Sequence, residues 1–386
     1  MLRLQSPLPD NYTGASHDEL SRRVAAAKAR LGERLVILGH HYQREEVIQF
    51  ADARGDSFGL SRFAADHHDA EFVVFCGVHF MAESADILTA PHQKVILPDL
   101  NAGCSMADMA DVDGVEQVWE ELAGVTDIDR VVPVTYMNSA AALKAFVGRR
   151  GGAVCTSSNA RSILVWALGL DAPGNDTAAR GHATVSAGGG GGDKVLFFPD
   201  QHLGRNTGYT LGYGSADMRV VNPRLALGGL EDRDVKEATL LLWKGHCSVH
   251  QRFSTVHVAA FRAAHPDGIV IVHPECSHEV VEVADEVGST DFIINAVAAA
   301  PAGSTIAVGT EIHLVDRLAR EHASDRSVVS LDPLVCPCST MFRIDLAHLA
   351  WILDGLLDGE IRNQIKVDDD TAADARIALE RMLAIV

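Results

Sequence analysis

The chain has 386 residues, is 47% hydrophobic, and carries 33 Lys and Arg against 52 Asp and Glu, a net charge of −19. That length and apolar content can bury a large core divided among two or three domains. The acidic balance argues against nucleic acid, whose phosphates need a basic surface, and no apolar run reaches the roughly 18 residues of a membrane span.

The opening segment MLRLQSPLPDNYTG lacks a basic region followed by an apolar one, so the expectation is a cytoplasmic protein. Small anionic ligands stay open, because local donors and helix N-termini hold them whatever the global charge. In chain order, charged and apolar residues at helical spacing predict a helix from Asp18 to Leu31. A pattern then repeats three times: an apolar β-rich run ends in polar residues, a helix follows, and another run begins. The first unit has RLVILGHHY, EFVVFCGVHF and KVILPD. The second has RVVPVTYMN, AVCTSSN and KVLFFPD. The third has GIVIVHPE, DFIINA and STIAVGTE. Such nearly all-apolar, β-branched runs belong to parallel sheets covered on both faces. The intervening segments, Asp113–Leu122, Asn159–Leu168, Asp232–Lys244 and Ser277–Val287, are expected to be crossover helices.

The fold class is therefore α/β, with three αβα units forming an internal repeat. The expected division is 1–112 with the N-terminal helix, 113–252, 253–343, and a C-terminal pair of helices in 344–386 packing back on the body. Residues 171–193, with five consecutive glycines, read as a flexible surface insertion in the second unit.

Seven cysteines are spread along the chain, an odd number that does not suggest a disulfide framework. Cys104, Cys247 and the Cys336/Cys338 pair each follow a strand-and-turn segment, one site per repeat. Three thiolates can hold three irons of a cubane cluster and leave the fourth open as a Lewis acid for dehydration. Three buried structural cysteines are the plainer reading. A zinc-dependent lyase or hydrolase on the same Cys/His set is the alternative enzyme, disfavoured on the reading that the chain offers no tight CxxC or HxxxH pair. His40, Tyr42, Ser57, Tyr136, Asn138, His273 and Glu275 all follow apolar runs, at the sheet edge where open α/β folds bind ligands. Together they offer an acid–base set of His, Glu and Tyr. Alone, each is more often a helix cap or a satisfied buried polar group; Asp56 and Ser57 suit a helix start. Ser289 and Thr290 could present hydroxyls to a phosphate or carboxylate, or form an ordinary turn.

The ordered segments HHYQREEVIQFADARGDS, FCGVHFMAESADIL, LPDLNAGCSMADM, VTYMNSAA, CTSSNA, FFPDQHLGRNT, LWKGHCSVHQRF, VHPECSHEVVEVADEVGST and VGTEIHLVDRL closely resemble the quinolinate synthase family of bacterial NAD biosynthesis. The resemblance runs from about Leu35 to Leu357, interrupted only by the Gly-rich insertion. It implies three αβα domains in pseudo-threefold symmetry with the active site at their junction, and a [4Fe-4S] cluster. It implies a transferase-type condensing dehydratase that joins iminoaspartate and dihydroxyacetone phosphate into quinolinate, losing phosphate and two waters. The implied cluster ligands are Cys104, Cys247 and, from the CPC motif, Cys338. Glu275 and Tyr42 are the implied proton-transfer groups and Tyr136 orients the intermediate. His40, Ser57, Asn138, Ser157, His273, Ser289 and Thr290 match substrate-pocket positions. Of these Ser157, together with Thr156, matches less closely because the spacing near them varies, and His250 falls beside the cluster or the substrate. Transient contact with the enzyme that produces iminoaspartate is a further expectation.

Overall fold

The computed structural model describes residues 5, 7–170, 190–334 and 337–385. Cys336 and residues 171–189 of the Gly-rich insertion lie outside the described residues.

The chain is α/β with three parallel-dominated sheets. The first holds β1 (Leu35–His40), β2 (Ala53–Gly55), β3 (Phe72–Cys76) and β4 (Lys94–Ile96). The second holds β5 (Val131–Tyr136), β6 (Ala153–Cys155), β7 (Lys194–Phe198), β8 (Met218–Val221) and β9 (Leu240–Trp243). The third holds β10 (Ile269–Val272), β11 (Glu286–Val287), β12 (Thr305–Gly309) and β13 (Ser327–Ser330). A last strand, β14 (Gln364–Ile365), pairs with β4 as the antiparallel edge of the first sheet. Runs such as Val131–Tyr136 and Lys194–Phe198 are buried along their whole length, as strands covered on both faces must be. The order within each sheet repeats: β2-β1-β3, β6-β5-β7 and β11-β10-β12 each place the first strand between the second and third.

Two compact units form. One contains the chain up to Ser105 together with Ser248–Asp368, and so holds the first and third sheets. The other contains Met106–Cys247 and the segment from Asp369. In the first unit, helix Leu346–Leu357 packs on helix His17–Leu31. Ser16 caps the latter, its hydroxyl accepting from the Glu19 amide. In the second unit, helix Asp369–Ala384 packs on helix Ala141–Arg149. A Cβ at Gly148 would lie 1.9 Å from the Asp374 carbonyl oxygen, so only glycine allows that approach. Among the described residues no helix is long and apolar enough to cross a membrane.

Three expectations need correction. DFIINA is not a strand but the start of helix Thr290–Ala299. Ser289 caps it, and Ile293 and Val297 recur four residues apart on the buried face. Asp232–Lys244 is not one helix: it stops at Glu237, and the apolar run Leu240–Trp243 is β9, fully buried beside β7. Ser277–Val287 likewise divides into helix His278–Val283 and the short edge strand β11.

Candidate active site

In parallel α/β sheets the loops leaving the carboxyl ends diverge where the strand order reverses, opening a crevice for ligands. The repeated order places that switch point beside β1, β5 and β10. His40 ends β1, Tyr136 ends β5, and His273 follows β10. Ser57 opens helix Ser57–Asp66, which Asp56 caps by accepting from the Gly59 amide at 2.8 Å. The cap role considered for this pair thus falls to Asp56, leaving Ser57 at the first helical position.

In the first unit the structure brings seven polar side chains from both sheets together. The Tyr42 hydroxyl lies 2.8 Å from Thr310 Oγ1 and 3.2 Å from Thr290 Oγ1. Thr310 Oγ1 is 3.1 Å from His250 Nε2, and His250 Nδ1 is 2.9 Å from Glu275 Oε2. The His250 ring stacks on His273 with centroids 4.5 Å apart. The Tyr42 amide donates to His40 Nδ1 at 3.1 Å, and the Glu275 amide donates to His273 Nδ1 at 3.3 Å. His40, His250, His273, Glu275, Thr290 and Thr310 are all buried. Ser289 is nearby in sequence, and its hydroxyl oxygen accepts from the Phe292 amide as a helix cap. Ser289 thus caps a helix rather than forming an ordinary turn.

Burial pushes the pKa of His40 down to about 3, with His41 and Arg317 adding to the effect. Burial also pushes His273 down to about 3, against the opposing pull of Glu275. Both rings are neutral donors at neutral pH, suited to hydrogen-bonding a carboxylate rather than ion-pairing it. The depression also dictates a pH response. Between about 3 and 6.5 the unfolded histidines bind protons that the folded ones do not. Stability is therefore complete above pH 6.5 and falls below it, at up to about 1.4 kcal/mol per pH unit for each histidine. The urea midpoint should drop on acidification through this window, and less so in His40→Asn; a midpoint that stays level would overturn the assignment.

A second set of contacts holds the loop after β1. Arg317, 5% exposed, donates to the His41 carbonyl at 3.1 Å and lies 3.2 Å from His41 Nδ1. His41 Nε2 lies 3.1 Å from Asp291 Oδ1. This chain ties the Tyr42 loop to the third sheet's helices. Sequence reading missed Thr310, Arg317 and Asp291. Thr310 carried a usable signal, since it ends the apolar run of β12; the other two carried none.

The remaining predicted pocket residues lie in the second unit. Tyr136 is buried at the end of β5. Asn138 follows it, and its side-chain oxygen is buried without a hydrogen-bond partner among the described residues. Such an atom costs about 1–3 kcal/mol unless something satisfies it, which a ligand would do. Ser157 is half-buried after β6. Thr156 is committed locally: its amide and hydroxyl both donate to Asn159 Oδ1, at 2.8 and 3.2 Å.

The six described cysteines are thiols and fall into two groups. Cys76, Cys155 and Cys276 are buried. Burial pushes the Cys76 thiol up to about 12 and raises Cys155 as well, which disfavours the thiolate a metal needs. Cys104, Cys247 and Cys338 are half-buried and lie in loops beyond the strands. Two buried carboxylates brace these loops in the first unit. Asp99 accepts from the Asn101 amide at 2.8 Å and from Arg343 Nε at 2.7 Å, linking the Cys104 loop to the segment after Cys338. Glu311 accepts from the Cys338 amide at 3.2 Å and from His313. The expectation that the chain has no HxxxH pair needs correction, because His246 and His250 stand at that spacing of zinc sites. However, His246 lies outside any helix, and both ring nitrogens of His250 are engaged by Glu275 and Thr310. The spacing therefore does not present a helical ligand pair.

The family model of the Quinolinate synthetase A protein matches residues 22–173 and 177–384. A quinolinate synthase of Corynebacterium glutamicum is 54% identical over 382 residues, covering 99% of this chain and 91% of that protein. A quinolinate synthase of Streptomyces coelicolor is 52% identical over 379 residues, covering 98% and 91%. One of Geobacillus is 51% identical over 384 residues, covering 98% and 96%. Identity at this level over nearly the whole of each chain, with an acid–base cluster at the strand ends, leads to one conclusion: the chain belongs to the quinolinate synthase family, and it is an enzyme of NAD biosynthesis.

Proposed function

We propose that the chain condenses iminoaspartate with dihydroxyacetone phosphate to give quinolinate, one phosphate and two waters. The observation that carries this reading is the buried Glu275–His250–Thr310–Tyr42 network at the strand ends. The atoms of the two substrates equal those of the products, so no oxidant is needed. The chemistry reduces to carbon–carbon and carbon–nitrogen bond formation, proton transfers and departure of water, which an acid–base set can serve.

The proposed cofactor is a [4Fe-4S] cluster held by Cys104, Cys247 and Cys338, the three cysteines among the described residues that are half-buried. When bound, such a cluster supplies an iron lacking a protein ligand, a Lewis acid for hydroxyl and carboxylate oxygens. The other steps fall to the side chains. Glu275 takes protons from carbon or nitrogen as the condensed chain tautomerises. Tyr42 gives a proton to a departing hydroxyl. The neutral rings of His40 and His273 donate to a substrate carboxylate. Ser57 and the Ser289–Thr290 pair stand at the first turns of two ten-residue helices, where backbone N–H groups and the helix dipole favour an anion. They are the proposed phosphate and carboxylate contacts. Tyr136 orients the intermediate, and Asn138 and Ser157 hold its polar groups. The burial of His40, His273, Glu275 and Thr290 would help to keep water from the reactive imine.

The proposed architecture behind this site is the threefold repeat of αβα units divided near residues 112, 252 and 343. The proposed setting is the cytoplasm, with iminoaspartate passed over by transient contact from the enzyme that forms it. The test is an anaerobic assay of reconstituted protein with dihydroxyacetone phosphate and iminoaspartate generated in place. Quinolinate, with acid-labile sulfide in the same sample, is the expected result. Protein carrying iron and sulfide that forms none would overturn the substrate assignment. Zinc without sulfide in an active sample would favour the zinc-dependent reading.

A further inference from the structure

Ser157 stands on a loop that its own sheet holds weakly. β6 is three residues long and is an edge of the second sheet, paired with β5. Beyond it Ser157 is half-buried and Ser158 exposed. A short edge strand leaves the loop that follows it a soft point of the fold. Helix Asp369–Ala384 packs against that strand, and its own place is well fixed. Arg149 pairs with Asp374 at 2.9 Å, and the Asp374 backbone closes on Gly148. Arg381 donates to the Gly152 carbonyl just ahead of β6, and its guanidinium lies 5.4 Å from the Trp166 ring centroid.

Asn159 joins this helix to the loop. It is 5% exposed and opens helix Ala160–Ala167. A carboxamide has two N–H donors and one oxygen with two lone pairs, and here all of them are engaged. Oδ1 accepts from the Thr156 amide at 2.8 Å and from Thr156 Oγ1 at 3.2 Å. Nδ2 donates to the Met382 carbonyl at 3.2 Å and to the Ile385 carbonyl at 3.2 Å. Carbonyls at the end of a helix have no partner within it, so these two are ready acceptors. The Thr156 N–H requires an acceptor and the two carbonyls require a donor, so the amide fits in one orientation only. Aspartate would satisfy the loop side and fail the helix side. We propose that Asn159 is a positioning residue, and that through it the last turn of helix Asp369–Ala384 braces the loop that presents Ser157 to the reacting molecule. This rests on the proposed function, in which Ser157 holds a polar group of the intermediate. A hydroxyl on a loose loop loses much of its binding contribution to the entropy of being ordered. The brace orders the loop before the ligand arrives. Met137 N–H also donates to the Cys155 carbonyl at 2.7 Å, so the segment carrying Tyr136 and Asn138 is tied to the same strand.

Two changes cut the link from opposite sides. Asn159→Asp keeps the shape and the acceptor for Thr156 but removes both donors to the helix. Shortening the chain after Ala384 removes the Ile385 acceptor and leaves Asn159 intact. In substrate-free protein, each should quicken hydrogen exchange of the Thr156 amide by about tenfold, as expected for losing one or two hydrogen bonds. The amides of β7 should keep their wild-type rates. This readout holds whether or not quinolinate is the product. In turnover, Asn159→Asp should lower kcat/KM by about 10- to 100-fold, the effect of misplacing a contact from a distance, with iron and sulfide unchanged. Added to Ser157→Ala it should cost little more, because both remove the same contact; a general loss of stability would add in full. Unchanged Thr156 exchange in both variants, or full additivity with Ser157→Ala, would each overturn the brace. Where Asn159→Asp does not fold, the shortened chain decides by the same two readouts. A wild type that forms no quinolinate, while Thr156 exchange responds as expected, would overturn the substrate assignment and leave the brace standing.

Discussion

Replacing Cys338 with alanine should abolish cluster assembly and with it quinolinate formation. Anaerobically reconstituted Cys338→Ala should hold markedly less iron and sulfide than the wild type. Its activity should fall by more than about 100-fold, beyond the 10–100-fold typical of losing an outer-shell partner. The prediction rests on the division among the cysteines. Cys338 is half-buried, with its amide anchored to the buried Glu311 carboxylate and its sulfur 3.3 Å from Thr340 Oγ1. Cys276 is the control. It is 0% exposed, and its thiol lies 3.7 Å from the Gly309 carbonyl oxygen. Cys276→Ala should lose stability by a small core truncation and keep its full complement of iron. Iron and sulfide analysis beside the activity assay decides the matter. If Cys338→Ala retains the cluster and Cys336→Ala loses it, the third ligand moves two residues back along the CPC motif.

The second large effect is expected for Glu275→Gln. Glutamine keeps the size and can still accept from His250 Nδ1, but it cannot take up a proton as a carboxylate does. Loss of a general acid–base group of this kind lowers kcat by about 10²- to 10⁴-fold. KM should change little, because His40, His273 and the helix N-termini, not Glu275, are the proposed substrate contacts. The variant's iron and sulfide content should match the wild type, separating a chemical defect from a failure of assembly. Steady-state kinetics with metal analysis checks both points. A Gln variant with unchanged kcat would remove Glu275 from the proton-transfer steps and leave the buried network as scaffolding. Removing the carboxylate also alters the field on His273, which Glu275 opposes against burial. The Gln variant should therefore keep the His273 ring neutral to a still lower pH.

Much of this was legible in the chain itself, for a physical reason. Parallel strands buried on both faces must be continuously apolar, so runs such as Val131–Tyr136 and Thr305–Gly309 stand out, and the polar residues that end them mark the ligand edge. His40, Tyr136, His273 and Glu275 were singled out that way, and the structure places them at or just beyond strand ends. Periodicity failed where segments were short or apolar all round. Leu240–Trp243 consists of three leucines and a tryptophan, which suit a helix equally well until β7 and β8 pair with it on either side. Ile293 and Val297 suit a strand until Ser289 caps the turn before them.

The tertiary structure alone decided which residues act together. The link from Tyr42 to Thr310 spans 268 positions, that from Arg343 to Asp99 spans 244, and that from Arg317 to His41 spans 276. No local rule couples residues so far apart; they meet because the first and third sheets share one compact unit. The cysteines divide between sequence and packing: the sequence already singled out Cys104, Cys247 and the Cys336/Cys338 pair by their place after strand-and-turn segments, whereas the full burial of Cys76, Cys155 and Cys276 is a product of packing. Residue chemistry and strand periodicity are local and survive in the linear chain. Solvation and long-range hydrogen bonding, which set protonation and bring acid to base, exist only once the chain has packed.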